Sequence, residues 1–463
     1  MALAYNVPPV LLDLNQKGLL ERAFADGLFP NLAYRSEALP EEWPANTGTE
    51  IVMSRPGPIK PKVTALTPGS DPTPAQLQFE QWVATLDQYA DSIDVSMVNS
   101  ATGNADLFLR SIHQLGMQAG QSVNRIARNS IFKAYLSGRT ALKVATASGD
   151  TSISVGSLNG FTSVLLPSVS ARPQVVAPVT PLPITIGTGG AAIVRNVIGA
   201  IPDDPNDPFG PGTLLLSASV GAVFALRSPV ISSDAPRQIM SSAGSTIESI
   251  GSTDTFTLQM VINAVSVLRR ANVQPHEDGF YHAHISPTSE AQVFADPVFQ
   301  RLNQSLPEGV IYSTGFLGHI SGVMFFMNAE SPESINVGNL TSTSGSGVYG
   351  SEIGAEVVNG AGVAIGRVLI TGKGSFYEKY LDESAYVSEA GTTGKIGEFA
   401  VVNDGLQIMT DRIRLIMRAP LDRMQQKVSL TWSISTSFPV PSDITAPSGP
   451  ERFKRAVVLC HAL

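Results

Sequence analysis

The stretch that decides the fold runs from residue 51 to residue 74 and reads IVMSRPGPIKPKVTALTPGSDPTP. It begins strand-like at Ile51-Val52-Met53, and its middle carries Pro56, Pro58, Pro61, Pro68, Pro72 and Pro74. Because proline fixes φ and removes a backbone donor, this middle cannot form a helix or a central strand. An ordered chain must also repay about 1–2 kcal/mol of backbone entropy per residue, and few large apolar residues lie here. The segment is therefore either a disordered linker or an arm that lies on another subunit.

A long amphipathic helix is predicted shortly after this segment. Asn104 is a suitable N-cap, Asp106 falls in the first turn, and Gly138 supplies the end. Between them, apolar residues recur at helical spacing: Leu107, Ile112, Leu115, Ala119, Val123, Ile126, Ala127, Ile131 and Leu136. At 1.5 Å per residue the helix would be about 50 Å long, which exceeds the width of a small domain.

The rest of the chain predicts mixed secondary structure. Residues 76–97 fit a strand or a helix, and the cleaner alternation of Ile93, Val95 and Met97 favours a strand. One short helix is expected near Leu11–Phe24, and the turn-rich stretch 149–239 predicts an inserted all-β module. Further predictions are helices at Leu258–Arg270 and Glu290–Leu302, strands at Phe280–Ile285, Gly322–Phe326, Val363–Ile370, Leu406–Arg418 and Lys427–Phe438, and a linker at Ser342–Gly350.

Composition favours a surface covered by partners. Charged residues make up 15% of the 463 residues and hydrophobic residues 43%, whereas about 25% charge is usual in soluble proteins. A neutral β-rich protein with Ser/Thr/Asn surfaces is the alternative. The net charge of −8 opposes general nucleic-acid binding.

Cysteine usage, the N-terminal sequence and the length of the apolar runs indicate the cellular compartment. Cys460 is the single cysteine, so intrachain disulfides and cysteine-based metal sites are excluded. The N-terminus lacks the pattern of a signal peptide, and no apolar run approaches the roughly 18 residues of a membrane span. We expect a protein made in the cytoplasm.

The histidines His276, His282 and His284 are the strongest candidates for chemistry. On a strand, His282 and His284 would share one face, and with Glu277 and Asp278 nearby they could hold a metal. No distant third ligand stands out, and His319 has no metal-motif context. A polar strand edge at a subunit contact is the simpler interpretation.

Other catalytic motifs fail on spacing. Gly372-Lys373-Gly374-Ser375 lacks the Lys-Ser/Thr pair of a phosphate loop, and Asp203–Asp207 lacks the glycine and glutamate of an EF-hand. We therefore expect no catalytic, cofactor-binding or metal residues, no cofactor, and a protein that is not an enzyme.

Several motifs resemble one protein family in series. The strongest is NVQPHEDGFYHAHISP at residues 272–287, followed by DPVFQ at 296–300, GHISGV at 318–323 and ITGKGSF at 370–376. With the order of arm, helix, β insertion and closing strands, they resemble major capsid proteins of tailed double-stranded-DNA bacteriophages. The resemblance covers most of residues 46–438.

The resemblance implies an α+β fold of the Hong Kong 97 type, with axial and peripheral domains and an inserted all-β module. The implied parts are an N-terminal arm (1–45), an extended loop or β-hairpin arm over a neighbouring subunit (46–99), a spine helix with peripheral domain (100–148), the inserted β-rich domain (149–239), an axial domain (240–365), and closing strands of both domains with a C-terminal tail (366–463).

The implied function is a shell protein without catalytic activity. It would assemble with itself into hexamers and pentamers of an icosahedral capsid around DNA, in the host cytoplasm. The implied partners are a separate scaffolding protein, a portal, non-specifically held DNA and, where present, a decoration or cement protein, but no membrane. Arg125 and Arg128 are candidates for DNA-facing charges.

The sequence departs from the family pattern in two respects, and two alternative functions remain open. No room for a cleaved scaffolding segment precedes residue 49, so we expect scaffolding from a separate protein. Lys60 and Lys62 lie where some relatives cross-link, but a matching motif is not visible. The alternatives are a nanocompartment shell of the same fold and a hydrolase built on the histidine cluster.

Overall fold

The computed structural model describes residues 19–44, 47–56, 62–72, 74, 79–96, 107–166, 169–244, 247–304, 319–328, 357–359, 362–381, 395–396, 399–402, 405–418, 427–442 and 455–463. Short 3-10 turns aside, five α-helices lie in these ranges: α1 Leu19–Leu28, α2 Leu107–Tyr135, α3 Leu258–Arg270, α4 Pro287–Ala295 and α5 Pro297–Gln304. The expected linker at Ser342–Gly350, the cap at Asn104 and Lys60 lie outside the described residues.

Strands make up most of the remaining regular structure. The first group is β1 Leu39–Glu42, β2 Glu50–Pro56, β3 Phe79–Thr85, β4 Asp87–Ser96, β5 Arg139–Ala141, β6 Ser152–Val155, β7 Ser163–Val164, β8 Gln174–Val175, β9 Leu182–Ile186, β10 Ile193–Pro202, β11 Gly212–Leu216 and β12 Pro229–Ser232. The second group is β13 Gln238–Met240, β14 Tyr281–Ile285, β15 His319–Ile320, β16 Val323–Met327, β17 Val357–Val358, β18 Ala364–Thr371, β19 Tyr377–Tyr380, β20 Lys395–Ile396, β21 Phe399–Val402, β22 Gly405–Thr410, β23 Ile413–Arg418, β24 Lys427–Ser437 and β25 Ala456–Ala462. This content confirms the expected α+β class.

The chain divides into two compact units. The first unit comprises Met1–Val52, Val83–Arg128 and Phe376–Pro439. The second comprises Met53–Trp82, Asn129–Ser375 and Val440–Leu463. Each is described by itself below.

An eight-stranded sheet is the centre of the first unit among its described residues. Its strand order is β1-β19-β24-β23-β22-β21-β20, with β4 also paired to β24. All ten residues of β4 pair with β24, from Asp87 with Thr436 to Ser96 with Lys427. Residues 79–96 are therefore strands, as predicted. The paired part of the arm ends at Thr85, because β4 belongs to this larger sheet.

Helices α1 and α2 approach each other closely in the first unit. A Cβ on Gly27 would lie 2.4 Å from the carbonyl oxygen of His113, and one on Gly116 would lie 2.4 Å from that of Phe24. Only glycine allows this distance between two backbones. The backbone N–H of Tyr34 also donates to Asn124 Oδ1 on α2 at 2.7 Å. These contacts fix the N-terminal segment on the helix.

Helix α2 confirms the predicted amphipathic stripe. The apolar positions Ile112, Leu115, Ala119, Val123 and Ile131 are all fully buried. The described helix starts at Leu107 and ends at Tyr135, and Gly138 follows with φ +73°. Its 29 residues make it about 43 Å long, somewhat shorter than the sequence predicts.

A partly buried ion cluster, centred on buried Arg35 and Glu378, joins the N-terminal segment of the first unit to its sheet. Arg35 Nε donates to Glu378 Oε1 at 2.8 Å, and Arg35 Nη1 to Asp411 Oδ2 at 3.0 Å. Arg412 Nη1 donates to the second oxygen of Glu378, also at 2.8 Å. Asp411 and Arg412 have φ values of +46° and +67°, so they form a tight turn between β22 and β23. The single strand predicted at Leu406–Arg418 is wrong, because this turn folds it into a hairpin.

The inserted module of the second unit is a closed barrel. Its antiparallel strands follow the order β5-β12-β9-β10-β11-β6. The chain after β5 then pairs with β6, since Leu142 bridges Val155 and the Lys143 N–H donates to the Ser154 carbonyl at 2.9 Å. Closure leaves no open sheet edge. The barrel therefore begins at residue 139, ahead of the expected start at 149.

The barrel encloses its own apolar core. The buried residues are Leu142, Ile153, Val155, Leu158, Phe161, Val164, Val176, Leu182, Ile184, Ile186, Val197, Leu214, Leu216, Val220, Phe224 and Val230. Helix α2 is anchored to this module within the second unit: Asn159 Nδ2 donates to the carbonyl of Lys133 at 2.7 Å, and the Gly138 N–H donates to the carbonyl of Asn159 at 2.8 Å. These bonds satisfy backbone groups at the helix end.

A mixed seven-stranded sheet is the other core of the second unit. The order is β13-β25-β18-β14-β16-β15, and β17 pairs with β18. Strand β25, from the segment expected to be a tail, lies between β13 and β18 and is buried along its length. Helix α3 packs on this core through Val261, Ala264 and Leu268.

The helix predicted at Glu290–Leu302 is wrong in one respect, because it is two helices. Helix α4 ends at Ala295, and Pro297 begins α5. Asp296 between them is extended, as the residue before a proline tends to be. Its carboxylate accepts bonds from the N–H groups of Val298 at 2.9 Å and Leu258 at 2.8 Å. One buried side chain thus caps both α5 and α3.

Candidate assembly surfaces and the histidine cluster

Strands β2 and β3 form the paired base of the arm. Arg55 on β2 pairs with Glu80 on β3, and its guanidinium lies 5.8 Å from the centroid of the Trp82 ring. Glu80 and Trp82 are buried, with only 1% and 5% of their surfaces exposed. The buried pair aligns the strands, since charge-assisted bonds shielded from water are stronger than exposed ones.

Other arm residues leave large apolar side chains in water. Val63 is 93% exposed, Leu66 48% and Phe79 50%. Lys62 beside them is also exposed. Each Å² of apolar surface that remains in water forgoes about 25 cal/mol of stabilisation. These side chains are therefore available to a surface supplied by another molecule.

The two arginines predicted to face DNA differ in exposure. Arg125 on α2 is half-buried, whereas Arg128 is only 3% exposed. The prediction for Arg128 is wrong, because it lies on the same face of α2 as Asn124 and Phe132, which are also buried. An arginine enclosed in this way cannot reach a phosphate backbone.

The histidine cluster lies at the start of β14, an inner strand of the seven-stranded sheet. His276 and His282 stack with ring centroids 4.0 Å apart and planes 9° from parallel. Asp278 Oδ2 contacts His282 Nε2 at 2.8 Å, and Thr371 Oγ1 contacts His276 Nε2 at 3.2 Å. A tight turn at Gly279, with φ +84°, brings His276 back onto the strand. The sequence placed these groups near one another but did not predict the stacking.

His282 and His284 share a face of β14, as alternation predicts. Both rings contact Phe326, with centroid distances of 5.0 Å for His282 and 5.7 Å for His284. His284 is buried, so its ring is enclosed in the sheet. Glu277 points elsewhere, where it forms an exposed ion pair with Lys373 at 3.1 Å. The cluster is thus a polar sheet end whose groups contact one another, and the absence of a metal site stays a prediction.

Electrostatics in the cluster favour an ionised Asp278. Partial desolvation opposes ionisation, but the Phe280 N–H and the His282 ring donate to the carboxylate and lower the pKa of Asp278 below its usual value. The cluster therefore orders the 276–282 turn through hydrogen bonds.

The glycine-rich segment Gly372–Ser375 is a turn between β18 and β19. The N–H of Ser375 bonds to the carbonyl of Gly372 at 3.2 Å, and the N–H of Lys373 bonds to that of Gln274 at 2.9 Å. A Cβ on Gly372 would lie 2.4 Å from Val273. The glycine is therefore required by close packing.

Sequence reasoning missed a buried serine–histidine chain in the second unit. His461 Nδ1 donates to the carbonyl of Ala462 at 2.8 Å, so the neutral ring accepts at Nε2 from Ser289 Oγ, at 2.9 Å. Ser286 Oγ lies 2.8 Å from Ser289 Oγ and completes the chain. Burial lowers the pKa of His461 to about 4, despite the bond to Ala462. Since both Ser289 and His461 are buried, the pair fixes α4 on β25 and is enclosed from substrates.

Membrane insertion through a helix finds no support in the described ranges. None of the helices there combines the length and the apolar character needed to cross a bilayer.

Comparisons with known proteins give matches at the level of three-dimensional structure. No family model matches the chain, and no curated protein matches its sequence. The structure is similar to the capsid of the cyanophage P-SCSP1u, with a TM-score of 0.43 and 10% identity over 91% of this chain and 86% of that one. It is similar to the capsid of Ralstonia phage GP4, with a TM-score of 0.44, 11% identity and coverage of 93% and 90%. For the capsid of cyanophage Pam1 the TM-score is 0.45, with 10% identity and coverage of 90% and 86%.

Proposed function

We propose that this chain is the major capsid protein of a tailed double-stranded-DNA bacteriophage. In this function it assembles with itself into hexamers and pentamers of an icosahedral shell that encloses the genome. The observation that carries the proposal is the arm. Its base is aligned by Arg55 and Glu80, while Val63, Leu66 and Phe79 are left in water by the chain's own described residues.

The arm supports assembly because its exposure is costly for an isolated subunit. A proline-rich segment fixes much of its own backbone, so it loses less entropy when it docks. A neighbouring copy can supply the apolar surface that covers Val63 and Leu66. The arm then completes its packing only in the assembled state.

Composition and helix α2 give further support. Charged residues make up 15% of the chain. Because the cores of protein interfaces are depleted in charge, this composition fits a surface that is largely covered by other subunits. Helix α2 is about 43 Å long and crosses from the first unit into the second. The motifs at residues 272–287 and 370–376 resemble capsid proteins of tailed phages and lie on β14 and β18 with their turns.

Many modest contacts would stabilise such a shell. A standard protein interface buries about 1,600 Å² in total, and burial contributes roughly 25 cal/mol per Å². Association costs cancel much of that sum. Individual contacts can therefore dissociate and correct errors, while the closed shell is stable collectively.

The remaining assignments extend the same proposal. The subunit is made in the bacterial cytoplasm and ends in the virion, with a separate scaffolding protein and a portal as assembly partners. Packaged DNA is contacted without sequence readout, and Arg125 keeps part of its surface exposed, unlike Arg128. Residues 240–365 supply the axial domain, and residues 100–148 the spine helix with the peripheral domain.

Deletion of Ile59–Pro74 tests the proposal. The parent chain, coexpressed with the scaffolding protein of the same virus, is expected to give closed particles by negative-stain electron microscopy. The deleted chain is expected to stay folded by circular dichroism and to give no stable shells, because the docking segment is gone.

Each outcome of this experiment bears on a separate part of the proposal. Normal particles from the deleted chain would refute the role of the arm. Only monomers and small oligomers from the parent would refute the capsid function. Copurifying DNA, rather than a cargo protein, distinguishes the virus shell from a nanocompartment.

A further inference from the structure

The inserted barrel is in direct contact with the arm inside the second unit. The backbone N–H of Gln81, the third residue of β3, donates to the carbonyl of Ala171 at 2.9 Å. Arg172 Nε donates to the side-chain oxygen of Gln81 at 3.1 Å. Ala171 and Arg172 lie between β7 and β8 of the inserted module. Strand β3 is thus bonded to β2 on one edge and to the insertion on the other.

The contacting segment is held by the barrel. Val164 on β7 and Val176 after β8 are both buried members of the barrel core. The N–H of Leu165 also donates to Asp234 Oδ2 at 2.8 Å, beyond the end of β12. Ala171 therefore sits on a short ribbon with both ends fixed.

The arm needs such a support because two strands alone are weak. An isolated two-stranded ribbon is marginally stable in water. The Arg55–Glu80 pair aligns the two strands with each other but does not fix their direction. The bond from Gln81 to Ala171 ties them to a rigid body.

We propose that the inserted barrel braces the arm through Ala171 and Arg172, and so directs it toward the neighbouring copy. The consequence for assembly rests on the proposed capsid function, whereas the brace itself is a property of the single chain. A preorganised arm loses less freedom when it docks.

Gln81→Pro is the most direct way to remove the hydrogen bond to Ala171. It deletes the N–H that reaches Ala171 and leaves the edge of β3 that faces β2 unchanged. Val83→Pro is the matched control, because alternation points the N–H of residue 83 to the same edge of the same strand. Both substitutions impose the same proline ring, so the difference between them reports the bond.

The first readout is hydrogen–deuterium exchange of β2 amides in the isolated, full-length subunit. Gln81→Pro is expected to speed exchange at Ile51–Arg55 about fivefold more than Val83→Pro does, as expected for one lost hydrogen bond. A second pair avoids proline: Arg172→Ala is expected to speed this exchange, and Arg195→Ala is not. Arg195 is a half-buried arginine of the barrel, and its described bonds go to the barrel carbonyls of Val194 and Ser219.

The second readout is particle formation with the scaffolding protein. Faster exchange in Gln81→Pro together with misshapen or fewer particles supports the brace and its role. Faster exchange when even the parent chain forms no particles supports the brace but overturns the capsid function. Equal exchange in Gln81→Pro and Val83→Pro, with Arg172→Ala unchanged, overturns the brace.

Discussion

The inserted barrel and the arm beside it differ in whether the chain itself covers their sheet edges and apolar side chains. The barrel closes its sheet through Leu142 and Val155 and buries a core of its own. The arm pairs β2 with β3, contacts the insertion through Gln81, and exposes Val63, Leu66 and Phe79. The difference indicates that the barrel is stabilised by contacts within the chain, whereas the apolar residues of the arm depend on a surface supplied by another molecule. Substitutions in the two regions should therefore affect different measurements.

Truncation inside the barrel should have the largest effect on stability. Leu214 is fully buried in the barrel core, so Leu214→Ala should lower the free energy of unfolding by about 2–5 kcal/mol through lost burial and a cavity. Leu215→Ala is the control, because the next residue of β11 is only half-buried. Urea denaturation measures both variants. Equal losses would contradict a packed barrel interior.

The seven-stranded sheet resembles the barrel in being stabilised from within, and its buried histidine predicts a pH dependence. The pKa of His461 is lowered to about 4 from 6.5. Between these values the unfolded chain binds more protons, so acid favours unfolding. As the pH falls from 6.5 to 4, the free energy of unfolding should drop by up to about 3 kcal/mol.

A matched variant isolates the histidine from other acid-sensitive groups. His461→Gln keeps a polar side chain at the site but cannot titrate there. The difference in unfolding free energy between parent and variant, followed by denaturation from pH 7 to pH 4, should change with pH. A constant difference would show that His461 titrates at its ordinary pKa.

A substitution at the end of α2, where the helix joins the barrel, should have a smaller effect on stability. It tests whether the barrel's connection to the helix is also stabilised within the chain. Gly138 has φ +73°, and Gly138→Ala should cost about 1–2 kcal/mol of stability for the left-handed backbone. Gly149→Ala is the control, since a Cβ there would meet nothing within 4 Å. Thermal denaturation compares the two, and a similar Tm for both variants would contradict the strained conformation at Gly138.

Much of the fold could be predicted because the local spacing of apolar residues determines its helices and strands. The apolar stripe of α2 recurs every three to four residues, and the run at Leu258–Arg270 matches α3 residue for residue. The hairpin at Asp411-Arg412 was missed because Arg412 stands where the usual two-residue turn has glycine, although Asp411 suits a positive φ. The break at Asp296 was missed although Pro297 is visible in the sequence.

Long-range pairing explains what the sequence could not give. Strand β25 is apolar apart from His461, but its place between β13 and β18 depends on residues far away in the chain. Ser289 and His461 are separated by 172 positions, and closure of the barrel depends on a register that no local pattern encodes. The face shared by His282 and His284 was predicted, because strand alternation is local.

The central claim is that the arm completes its packing on a neighbouring copy, and the labelling of one introduced thiol tests it most directly. Val63→Cys places a thiol where the side chain is 93% exposed, and the native Cys460 is buried. We predict rapid maleimide labelling of Val63→Cys in the isolated subunit and strong protection in assembled particles. Equally rapid labelling in the particles would contradict the account, because the arm would then remain uncovered after assembly.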